Sequence, residues 1–138
     1  MGTGQYVNEY RKNAVSGATP LQLVVMLYDG ALRFMNMAKS AMAGKNLEDQ
    51  NLNLQRAQKI ITELMSCLEM ERGGEIAQNL FAIYSYVYNA LVQANIEDRP
   101  ELVDQCIEIM SSLRGSWSQL DNQFRANTDT EEPIIAAA

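Results

Sequence analysis

The side chains able to do chemistry here are few in kind. Histidine is absent, cysteine occurs twice, at Cys67 and Cys106, and 17 residues are Asp or Glu. Without histidine there is no base for a nucleophile triad, no imidazole for zinc and no Glu-x-x-His pair for a di-iron bundle. The cysteines form neither a C-x-x-C pair nor a metal-ligand spacing, and each falls on an apolar helical stripe, so both read as reduced core residues. What remains is carboxylate chemistry, which needs two acids converging in one pocket. The acids here fall on polar helix faces, where solvated surface charge accounts for them. The chain is therefore expected to bind rather than to catalyse, with no cofactor and no metal.

Composition narrows the partner. The net charge is -6 and the 11 Lys and Arg residues form no cluster, so the attraction to phosphate behind nucleic-acid and anionic-membrane binding is missing. The N-terminus has no basic stretch leading into an apolar run of signal length, and Leu23, Val24, Val25, Met26 and Leu27 form the longest strongly apolar run. Neither nucleic acid nor stable membrane insertion is expected, and the expected location is the cytoplasm. At 138 residues and 47% apolar content, one domain with its own core is the natural size.

Local signals set out the elements that must position any binding surface. Thr19, Pro20 and Gln22 give an N-cap, a proline at the first helical position and a capping-box partner, predicting a helix from Pro20 to about Ala43 that stops at Gly44. Asn46 and Asp49 can cap a second, running through Leu68 and ending before Gly73 and Gly74. A third is predicted from Glu75 to about Asn95. Asp98, Arg99, Pro100 and Glu101 repeat the start signal for a fourth, reaching roughly to Arg125. Each would be roughly 30 to 38 Å long, and the linkers are short. The predicted fold is all-α: an antiparallel up-down four-helix bundle, with a short additional N-terminal helix around Tyr6 and Tyr10. Residues 1–15 are expected to be a mobile cap segment, 16–126 the bundle and 127–138 a disordered tail.

The faces of these helices differ. On the fourth, Leu102, Cys106, Ile109, Met110, Leu113, Trp117, Leu120 and Phe124 gather on one core-facing stripe, and the second has a similar single stripe. The first carries apolar residues over an arc of roughly 240°, more than the hundred degrees or so that one packed face needs. Leu23, Leu27, Phe34 and Ala41 lie on one flank, Leu21, Val25, Tyr28, Leu32 and Met35 on the other, and Met26 sits in the polar strip. The third has a core stripe of Ile76, Leu80, Ile83, Val87 and Leu91, beside a second row of Phe81, Tyr84, Tyr88 and Val92. Two readings stand: both flanks are buried against neighbours, or one is a groove for an apolar partner segment. For a groove, methionine adapts to different side chains and tyrosine gives large contact area with a polar tip. The candidate contacts are Met26, Leu32, Met35, Phe81, Tyr84 and Tyr88.

Ser16, Gly17, Ala18, Thr19 and Pro20, followed by Met26, Leu27, Tyr28, Asp29, Gly30 and Ala31, resemble the signature of the flagellin-specific flagellar export chaperones. The paired Tyr6 and Tyr10, the run from Gly73 to Ala77 with Asn79 and Leu80, the pair Ala94 and Asn95, and Leu113, Arg114 and Trp117 match in order over about residues 5 to 124. The resemblance implies a small five-helix protein with an antiparallel four-helix core, using no nucleotide or metal. It implies binding of the C-terminal region of flagellin, protection from premature polymerisation or aggregation, and delivery to the flagellar type III export gate. It also implies that the segment with Tyr6 and Tyr10 covers part of the client site in the empty protein. A helical adaptor for a regulatory protein such as an anti-sigma factor, or a homodimer through the same grooves, stays open beside it.

Overall fold

The computed structural model describes Gly17 and residues 19–126, and these form four α-helices. They are α1 (Pro20–Ala43), α2 (Leu47–Ser66), α3 (Met70–Glu97) and α4 (Pro100–Ala126). The expected N-terminal helix with Tyr6 and Tyr10, and the stretch 127–138, lie outside the described residues.

Local chemistry explains most boundaries. The Thr19 hydroxyl accepts from the Gln22 amide at 3.0 Å while the Gln22 side chain accepts from the Thr19 amide at 2.7 Å, the reciprocal pair that satisfies two orphan donors. α1 ends at Gly44, and Asn46 caps α2 by accepting from the Asp49 amide at 3.1 Å. α2 stops at Ser66, two residues before the expected Leu68. The glycine pair breaks the helix as expected, at Gly74 with φ 55° and ψ -130°, a conformation that only glycine adopts without strain. One turn, Met70 to Gly73, precedes that break, so α3 begins before the expected Glu75. Asp98 does not start α4 as a cap; it ends α3 at φ 53° and ψ 51°, and its carboxylate accepts from the Gln50 side chain at 2.9 Å.

Short linkers make successive helices antiparallel. Each helix packs against two neighbours, in the order α1, α2, α3, α4, with α4 closing back on α1. Such a ring buries one flank of each helix against each neighbour, and this answers the question left by α1. Leu27 and Phe34 on one flank, and Leu21, Tyr28 and Met35 on the other, are all buried. Leu32 and Val25 pack partly buried against the same core. Most of the wide apolar arc of α1 is spent inside the bundle, on α2 and α4.

Candidate functional site

The deepest part of the core is where two of the expected contact residues are found. Tyr84 of α3 and Tyr28 of α1 meet across the bundle, hydroxyl to hydroxyl at 2.6 Å, with the Trp117 ring 6.4 Å from that of Tyr28. Burial raises the pKa of both phenols, so they stay protonated and serve as a hydrogen-bonded pair inside the core. Met35 is fully buried as well. Met35 and Tyr84 thus fill the core of this structure and present no surface, because both flanks of α1 and the inner row of α3 are needed for packing. Met26 is half-buried, Leu32 and Tyr88 are partly buried, and Phe81 is 43% exposed.

Apolar surface that the core leaves over lies elsewhere, between α3 and α4. There a groove of about 770 Å³ runs along Ala82, Ile83 and Tyr86 on one side and Ile109 and Leu113 on the other, with Gln105 and Glu108 on its rim. Tyr86 is 51% exposed and its hydroxyl donates to the Gln105 side chain at 3.2 Å, bridging the two walls. Ile83, Ile109 and Leu113 pack partly buried against the core. Sequence reasoning assigned all three to core stripes and did not single out Tyr86. A stripe on α4 wider than the fully buried Leu102, Cys106, Met110 and Trp117 require was the available signal.

Nothing in this groove is equipped for bond-making. Cys106 beneath it is free and buried, its thiol pushed up to about 11 by burial, and its Sγ points to the Val87 carbonyl at 3.8 Å. Cys67, by contrast, is only half-buried at the end of α2. Among the described residues no three His, Cys, Asp or Glu side chains group as metal ligands would, and no helix is long and apolar enough to cross a membrane. Smaller depressions are a cleft of about 580 Å³ between the α1–α2 and α3–α4 linkers and a polar one of about 460 Å³ around Asn53.

The described residues form an all-α four-helix bundle with an apolar groove between two of its helices, and that is the class of protein the fold defines. The comparisons with known proteins give that class its family. The family model described as flagellar protein FliS matches residues 2–124. The flagellar secretion chaperone FliS of Vibrio cholerae is 36% identical over 129 residues, covering 91% of this chain and 95% of its own. Its counterpart in Bacillus subtilis is 37% identical over 110 residues, 80% of this chain and 81% of its own, and that in Escherichia coli 33% over 119 residues, 86% and 88%. The chain belongs to the FliS family of flagellar secretion chaperones, a non-enzymatic kind of protein with a chaperone role in flagellar export.

Proposed function

We propose that the protein holds the C-terminal region of flagellin in the cytoplasm, keeps it from polymerising or aggregating early, and delivers it to the flagellar type III export gate. The observation that carries this reading is the apolar α3/α4 groove on a member of a secretion-chaperone family. An amphipathic client helix would lay its apolar face between Ile83 and Leu113 and against Tyr86. Each large anchor buried there adds about 1.5 to 3 kcal/mol before ordering costs, so a few anchors give useful affinity. Phe81, Tyr88, Met26 and Leu32 have enough exposure to extend the contact if the client wraps further around the bundle. The segment with Tyr6 and Tyr10 covers part of this site when no client is bound.

The test is calorimetric titration of the full chain with a peptide from the C-terminal end of the same organism's flagellin. Micromolar or tighter binding is expected. A folded protein that gives no heat at those concentrations would rule the reading out. Removing residues 1–12 is expected to raise client affinity, and unchanged affinity would remove the covering role of Tyr6 and Tyr10.

A further inference from the structure

Two linkers at one end of the bundle share an uncommon backbone. Among the described residues only Lys45, between α1 and α2, and Asp98, between α3 and α4, take a positive φ without being glycine, at 55° and 53°. That conformation crowds any side chain, so a residue other than glycine needs a reason to be there. For Asp98 the reason is the hydrogen bond from Gln50 at 2.9 Å. Lys45 has no such contact: its ammonium makes no hydrogen bond or ion pair among the described residues. The glycine of that linker stands next to it, at Gly44, where φ is -85° and an added Cβ would meet only ordinary contacts. The chain thus keeps a cation where glycine would be easier, beside a glycine that the backbone does not require.

Both Lys45 and Asp98 line one cleft of about 580 Å³, whose apolar walls are Met42, Ala43, Leu47 and Pro100. The floor is fixed, because Gln50 is buried and also donates to the Asn95 side chain at 3.2 Å, holding α2 to the end of α3. Lys39, the other cation on the cleft, already pairs with Asp104. Leu47 is 65% exposed, and Ile96 at the same end of the bundle is 76% exposed, the highest values among the large apolar side chains described. The result is a preformed apolar recess, of a volume that takes a few side chains, with one uncompensated positive charge at its edge. It shares no lining residue with the α3/α4 groove.

We propose that this cleft is a second docking site, which takes a short segment of another protein in which large apolar side chains adjoin a carboxylate. The apolar side chains fill the recess between Leu47 and Pro100, and the carboxylate pairs with Lys45. An exposed pair of this kind adds little affinity, but it selects acidic segments over neutral or basic ones. Because the two sites have separate walls, the cleft can be filled while the groove holds a client.

NMR titration of the full chain tests the proposal, following the methyl signals of Met42 and Leu47 with three peptides: acetyl-Glu-Leu-Leu-amide, acetyl-Gln-Leu-Leu-amide and acetyl-Glu-Ser-Ser-amide. The first is expected to bind about 3- to 5-fold more tightly than the second at low salt, an advantage that disappears at high salt, and the third is expected to leave the signals in place. Lys45→Gly is expected to remove the advantage of the acidic peptide while Tm stays the same or rises, because glycine relieves the left-handed backbone. Lys45→Arg keeps the charge and is expected to keep the advantage. The proposal fails if no peptide moves the signals, if acidic and neutral peptides bind alike, or if Lys45→Gly retains the preference. Displacement of the acidic peptide by the C-terminal flagellin peptide would make the cleft part of the client site, and Leu47 signals that move with protein concentration alone would give it to a second copy. Either result overturns the proposal. Whether flagellin binds at all is measured separately, by the calorimetric titration.

Discussion

The two seams that α4 makes with its neighbours are closed by different chemistry. Against α1, Asp121 accepts from the Thr19 hydroxyl at 3.0 Å, Arg114 pairs with Asp29 at 2.5 Å and Lys39 pairs with Asp104, three polar ties along the length of the helices. Against α3, Arg99 in the linker joins Glu97 and Glu101 at one end, but along the helices the ties are neutral, the Tyr86–Gln105 hydrogen bond and the Cys106 thiol, and apolar surface stays open beside them. Directional polar ties fix one register and leave no room for an insertion. An apolar groove floored by packed side chains accepts a guest without breaking a bond. The difference separates the seam that holds the bundle from the seam that can serve a partner.

That contrast can be broken or sharpened by experiment. The largest effect expected is on thiol labelling at mildly alkaline pH. Cys106, buried and with its thiol pushed up to about 11, is expected to react at least about a thousand-fold more slowly than in the unfolded chain. Half-buried Cys67 should label first. Rapid loss of both thiols would mean that the α3/α4 groove has no closed floor. Next, Tyr86→Ala is expected to weaken flagellin-peptide binding by about 30-fold, or ~2 kcal/mol, as an aromatic anchor does. Tm should barely change, since Tyr86 is half exposed. An unchanged affinity in titration would move the client site off this groove.

On the other seam, Thr19→Ala removes both a helix cap and the tie to Asp121, and is expected to cost about 1 to 2 kcal/mol in a denaturant melt. Client affinity should stay the same. Smallest is Asp29→Ala, which breaks the ion pair with Arg114. Both partners are 40% or more exposed, so a loss below about 1 kcal/mol is expected, shrinking further in high salt. A larger, salt-independent loss would show that this pair does more than surface charges do.

Legibility followed locality. The start of α1 could be read because Thr19, Pro20 and Gln22 satisfy each other within one turn, and the Gly74 break because glycine alone tolerates that backbone. Asp98 misled for the opposite reason: its carboxylate is taken by Gln50, on another helix, and no short-range pattern records that. The four-helix bundle was legible from periodicity, but which flank of a helix remains open depends on how many neighbours it has. α1, with the widest apolar arc, spends most of it on α2 and α4, and so Met35 lies in the core. Tyr84 is there too because Tyr28 supplies a partner for its hydroxyl 56 positions away in sequence. Ile109 and Leu113 line the groove because α3 and α4 leave it open between them, a matter of packing that a single helix cannot announce. Tyr6 and Tyr10 are outside the described residues, and their role rests on family resemblance.

The bridge from Thr19 to Asp121 joins positions 102 residues apart, so the ring of helices closes only at its last member. During synthesis, α1 waits with one flank bare until nearly the whole bundle has been made. A nascent chain halted before Asp121 therefore offers Leu21, Tyr28 and Met35 to its surroundings. A member of a secretion-chaperone family thus needs, for that interval, shielding of its own.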